Sequence, residues 1–180
     1  MSDPVSLSKF DKEMSWAERS DLIHKTFPSI NNINWVEVFQ TDPQVLGRLV
    51  NDILKLDGAT PGKPGKRPNI APEQASERLA QMTGEDFSML KFPEAFKILK
   101  ADRSVRHLAR LCSMNHSEAH RLLMGVKEPN VEIMRIVAQA FNKQPSYFLE
   151  YRIAFVVSYM CEIMMDVPET SAVQYMKLRK

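Results

Sequence analysis

Apolar residues along this 180-residue chain recur at intervals of three and four, and the strict alternation that marks strands is missing, so the chain reads as all-α. Ser15 can cap a helix with Glu18 at the capping-box position, running to about Phe27 before Pro28. A short helix is expected over Asn34 to Phe39. The next starts sharply at Thr41-Asp42-Pro43, a polar cap followed by proline at the first helical position, and stops at Asp57-Gly58. Along it Val45, Leu46, Leu49, Val50, Ile53 and Leu54 share one face; Gln44, Arg48, Asn51 and Lys55 share another. Further helices are expected over Pro72 to Met82, Pro93 to Lys100, Ser104 to Cys112, His116 to Met124, Asn130 to Phe141 and Ser146 to Met165, with a last one from about Glu169.

The helical pattern breaks between Asp57 and Glu73, where three glycines and four prolines fall in 17 residues. Proline removes backbone donors and glycine adds chain entropy, so this stretch suits a linker. The expected organisation is a small N-terminal helical domain over residues 1–57, a linker over 58–72, and a C-terminal helical domain over 73–180. With 44% apolar and 26% charged residues the chain has enough apolar material for a core that needs neither disulfide nor metal. Cys112 and Cys161 lie far apart and form no C-x-x-C, which argues against a disulfide scaffold or a cysteine-based zinc site and fits a reducing compartment. The best apolar stretch, Ile153 to Met165, contains Glu162 and is shorter than the ~18 residues of a membrane span. Met1 to Phe10 lacks the apolar core of a secretory signal, so the expectation is a soluble cytoplasmic protein.

The net charge of +2 is unevenly spread. Residues 1–60 carry an excess of acids, whereas between Lys97 and Lys127 seven basic residues (Lys97, Lys100, Arg103, Arg106, Arg110, Arg121, Lys127) face two acids (Asp102, Glu118). Three of the four histidines, His107, His116 and His120, fall in the same window. Such a cluster suits a polyanion such as DNA.

That window also carries the most specific pattern in the chain. Leu108-Ala109, Met114, Ala119, Leu122, Gly125, Pro129, Ile133, Val137-Ala138 and Phe141 are spaced to pack three short helices. Over 93–149 this resembles the helix-turn-helix of the lambda Cro and repressor family, with Cys112-Ser113 standing where that family has an apolar residue and a turn glycine. The resemblance implies a second helix that enters the major groove N-terminus first. It puts Asn115, His116, Ser117, His120 and Arg121 at the base-reading end and Arg103, Arg106 and Lys127 on phosphates.

The whole chain resembles the immunity repressors of temperate mycobacteriophages, through DRSVRHLAR (Asp102 to Arg110), PSYFLEYR (Pro145 to Arg152) and the order of helical unit, linker and Cro-like unit. That resemblance implies a transcriptional repressor that maintains lysogeny. In that family a monomer binds short asymmetric operator and stoperator sites through both domains. In the N-terminal unit, Trp35 to Phe39 followed by Thr41-Asp42-Pro43 suits a second helix-turn-helix, whose stripe of Gln44, Arg48 and Asn51 would face DNA, with Gly47 allowing close approach. Joined by a linker long enough to reach from one major groove to the next, the two units would read one site together. The linker segment Pro61 to Pro68 resembles an AT-hook loosely, with Lys63, Lys66 and Arg67 as minor-groove contacts.

No nucleotide-binding, serine-nucleophile or zinc-protease motif occurs, and His116 and His120 lack an acidic or thiolate ligand to complete a metal site, so neither enzyme activity, cofactor nor small-molecule ligand is expected. Two function classes remain: a DNA-binding repressor, or a protein-interaction module such as an antitoxin or adaptor built on a helix-turn-helix scaffold. The apolar helix Arg152 to Met165 would be core in a monomer and the contact face in a dimer.

Overall fold

The computed structural model describes residues 28–57, 72–84 and 86–165, with the isolated positions 15, 17, 21 and 24. Its α-helices are α1 (Trp35–Phe39), α2 (Pro43–Asp57), α3 (Pro72–Leu79), α4 (Phe92–Lys100), α5 (Val105–Leu111), α6 (His116–Leu123), α7 (Val131–Ala140) and α8 (Leu149–Met165). Single 3-10 turns lie at Pro28–Asn32, Ala80–Met82 and Pro145–Tyr147, and no strand occurs among the described residues. The chain is therefore all-α, as its periodicity predicts. Of the expected helix from Ser15 to Phe27, positions 17, 21 and 24 are helical. The expected helix from Glu169 lies outside the described residues. So does the AT-hook-like segment with Lys63, Lys66 and Arg67.

The described residues fall into two compact units, one holding 86–152 and the other 28–57, 72–84 and 153–165. In the second of these, α2 begins at Pro43 because Asp42 Oδ1 accepts from the Gln44 N–H (2.7 Å) and proline has no N–H to leave orphaned. Its core holds Ile30, Phe39, Leu46, Val50, Ile53, Leu54, Leu79 and Met82. The sequence places α3 beyond the linker with the C-terminal domain; in the structure α3 packs along α2, in the same unit. Ala75 and Leu79 give α3 an apolar side too narrow to be stable alone, and α2 covers it. The segment 58–71, expected as a linker, lies between α2 and α3 in the chain and outside the described residues.

Helix α2 buries its expected face at Leu46, Val50, Ile53 and Leu54, with departures at its start and on the opposite side. Val45 is 46% exposed, whereas Asn51 is only 6% exposed and Gly47 is buried. Asn51 is therefore not part of an exposed stripe. With α3 as a second neighbour, the buried arc of α2 widens on the Gly47 and Asn51 side. Gln44 and Arg48 remain exposed. From Ile153 onward α8 belongs to this unit, where Ala154, Phe155, Val156, Val157, Tyr159 and Met160 are buried, as expected of a helix apolar on all sides.

The other unit carries α4 to α7 and the first turn of α8 around Phe92, Phe96, Leu108, Leu122, Met134, Val137 and Phe148. Three of its helices start and stop by repeated devices. Ser104, Asn115 and Asn130 each accept, through a side-chain oxygen, the N–H three residues on: His107 (3.2 Å), Glu118 (2.7 Å) and Ile133 (2.8 Å). At the other ends Ser113 (φ 52°), Gly125 (φ 69°) and Asn142 (φ 52°) take the left-handed conformation. The Ser113 N–H donates to the Arg110 carbonyl (3.1 Å) and the Met114 N–H to that of Ala109 (2.9 Å), a Schellman closure that satisfies the last carbonyls of α5.

Ser113 thus adopts a left-handed turn conformation that glycine takes at least cost, and Cys112, 1% exposed, fills a buried apolar position. Burial pushes the Cys112 thiol up to about 11, which suits an inert packing residue. A left-handed non-glycine residue costs roughly 1–2 kcal/mol, partly offset by the greater entropy that glycine brings to the unfolded chain. Ser113→Gly is therefore expected to raise stability by about 0.5–1 kcal/mol, visible as a higher urea midpoint at unchanged slope. A lowered midpoint would contradict the left-handed turn.

The start of α8 locks this unit from the inside. Glu150 is buried, and its Oε1 accepts the Phe92 N–H (2.8 Å), so a carboxylate 58 residues away caps α4 where Lys91 provides no side-chain cap. Burial raises its pKa above the ordinary carboxylate value, and the Phe92 N–H opposes that shift. Arg152 lies over the Phe87 ring (4.0 Å to the centroid) and donates to the Ser146 and Asp86 carbonyls; burial lowers its pKa to about 10. The helix expected from Ser146 begins instead at Leu149. Pro145–Tyr147 forms a 3-10 turn and Phe148 stays extended (φ −86°, ψ 130°), with its ring fully buried.

Candidate nucleic-acid interface

Helices α5 and α6 pack on each other across the turn 112–115. Ala109 and Ala119 are both buried, and a side chain that stops at Cβ permits the close approach this requires. On α6 the buried residues Ala119, Leu122 and Leu123 occupy one side. At 100° per residue His116, Ser117, His120, Arg121 and Met124 fall on the other, and all five are exposed. On α5 Arg106 and Arg110, one turn apart, are exposed, as is His107. Sequence and packing together therefore bring four of the five expected base readers onto one exposed helix side.

The fifth, Asn115, is exposed too, but its Oδ1 is engaged as the cap of α6. A bidentate pairing with adenine needs both the amide oxygen and the amide nitrogen, so it would compete with a bond that holds the helix end, worth about 1 kcal/mol. The pattern Asn115-x-x-Glu118 is a capping signal that sequence alone carries.

Two of the three expected phosphate contacts are likewise engaged within the chain. Arg103 donates from Nη1 to the Leu99 (3.3 Å) and Lys100 (3.4 Å) carbonyls at the end of α4, with its guanidinium 5.6 Å from the Phe141 ring centroid. Those contacts suit a cation at a helix C-terminus and leave other guanidinium donors outward. The Lys127 ammonium is paired with the Glu118 carboxylate. Arg106, the third expected contact, is exposed, and Arg110, which the sequence places in the basic window without a role, is exposed one turn from it. Glu118 is the sole acid on α5 and α6, so apart from this pair the polar groups they expose are guanidinium, imidazole and hydroxyl, beside the exposed Leu111.

In the unit with α2, Gln44 and Arg48 are the expected contacts that remain exposed. Among the described residues no group of three or more His, Cys, Asp or Glu side chains could hold a metal ion, and no helix is long and apolar enough to cross a membrane. No protein-family model, no curated protein and no solved structure matches the chain.

Proposed function

We propose that this chain is a sequence-specific double-stranded DNA-binding repressor that reads the major groove with α6. The observation that carries the reading is the exposed side of α6, where His116, Ser117, His120 and Arg121 stand on a helix whose opposite side is anchored by Ala119, Leu122 and Leu123. Arginine pairs with guanine O6 and N7, and imidazole and hydroxyl groups bond to several base edges. Arg106 and Arg110 on the preceding helix supply sequence-independent attraction to phosphates. No chemistry on this surface calls for a cofactor.

The resemblance to mycobacteriophage immunity repressors supplies the biological setting. The protein acts in the cytoplasm of a bacterial host, holding lysogeny by occupying short asymmetric operator and stoperator sites as a monomer. Gln44 and Arg48 give the other unit a second, weaker contact with the same DNA.

The test is a gel shift of the full chain on a randomised duplex library, followed by a salt series on the enriched sequence. Specific binding is expected to exceed non-specific binding by at least about 10³-fold, with affinity falling steeply and log-linearly as salt rises. A library without enrichment, or affinity insensitive to salt, would sink the reading and favour a protein-interaction module.

A further inference from the structure

The pairing of Lys127 with Glu118 assigns both residues a task that the basic window alone hides. We infer that Lys127 shields α6: it neutralises the Glu118 carboxylate at the end of the helix that approaches DNA and is not itself a phosphate contact. The inference rests on the DNA-binding reading above.

Glu118 sits in the first turn of α6, where a carboxylate favours the helix by facing its positive N-terminal end. That same turn holds His116 and Ser117 and enters the groove first, so an unpaired carboxylate there would meet the DNA phosphates at close range. The charge that suits the helix thus opposes the ligand. Lys127 resolves the conflict from nine residues away, and the closure of α6 explains how it arrives there. Gly125 takes the left-handed conformation, the N–H groups of Val126 and Lys127 both donate to the Arg121 carbonyl (2.9 and 3.1 Å), and the chain folds back along the helix. The paired side chains are 36% and 27% exposed, so solvent and salt screen the pair less than an open surface pair. The pair as a whole carries no net charge, so it adds little to the counterion release that drives binding to DNA.

The experiment uses the full chain and the enriched duplex, with affinity read by fluorescence anisotropy for wild type, Lys127→Met, Lys127→Arg, Glu118→Gln and the double variant Glu118→Gln/Lys127→Met. Lys127→Met, which keeps the aliphatic stem, is expected to weaken binding about tenfold by exposing a like charge to the phosphates. Lys127→Arg should stay within about twofold, since it retains the pair. The double variant should return to within about threefold of wild type, because removing the carboxylate removes what the lysine neutralises. Urea unfolding of each variant sets a temperature at which all are folded, so a lost helix is not read as lost affinity.

A double variant as weak as Lys127→Met overturns the inference and makes Lys127 a direct phosphate contact. A wild-type chain that enriches no sequence sinks the DNA reading and this inference with it; selective wild-type binding without rescue sinks this inference alone.

Discussion

Phe148→Ala is expected to cost about 3–5 kcal/mol of stability, the largest effect of any single truncation in the unit that carries α5 and α6. The ring is fully buried, with its centroid 4.8 Å from that of Phe92 and 5.3 Å edge-on from that of Tyr147; Phe92 in turn stands 5.4 Å from Phe96. Such tilted and edge-on pairs add roughly 0.5–1.5 kcal/mol each beyond the area they bury. Truncation also leaves a cavity against the ring of Phe92, the residue whose backbone N–H donates to the buried Glu150. Small domains have about 5–15 kcal/mol in total, so the variant should unfold at far lower urea concentration, with DNA binding lost in parallel as the unit melts. Ile98→Ala serves as the control: at 59% exposed it should shift stability by less than about 0.5 kcal/mol. Equal midpoint shifts for the two variants would mean that Phe148 does not hold the core described.

The fold was legible wherever the determinants are local. Asp42-Pro43, Ser104, Asn115 and Asn130 announce helix starts because the cap and the N–H it satisfies are two or three residues apart, and Gly125 announces a stop because few other residues take its conformation at low cost. What could not be read depends on partners distant in sequence. Asn51 looks like an outward residue on α2 until α3, across a proline-rich break, packs on that helix. The helix expected at Ser146 is delayed to Leu149 because burying Phe148 demands an extended residue there, a tertiary requirement that overrides local propensity. Lys127 reads as a free cation in composition, since nothing at nine residues' separation shows that a left-handed turn will bring it to Glu118. The candidate surface on α6 lies between these cases. Its exposed side follows from helical periodicity and the capping role of Asn115 from its spacing to Glu118, while the engagement of Arg103 and Lys127 follows only from the fold.

Arg121→Ala and His116→Ala are each expected to lose about 1–3 kcal/mol of binding on the enriched duplex, or roughly 5- to 150-fold, and much less on random DNA. The reasoning turns on what each group can distinguish. A guanidinium on the exposed side of α6 finds two acceptors on guanine, but on adenine it meets one acceptor beside a donor, so its removal costs affinity only where guanine stands. His116 is the first residue of α6, at the end proposed to enter the groove, and an imidazole ring can offer both a donor and an acceptor to base edges. Arg106 and Arg110 sit on α5 and serve as the contrast. Replacing either by alanine should weaken preferred and random duplexes alike and lower the slope of log affinity against log salt by about one. The decisive quantity is therefore the specificity ratio measured at one salt concentration. It should fall for Arg121→Ala and His116→Ala and stay constant for Arg106→Ala and Arg110→Ala. If all four variants leave the ratio unchanged, α6 does not read bases and the sequence preference must come from elsewhere in the chain.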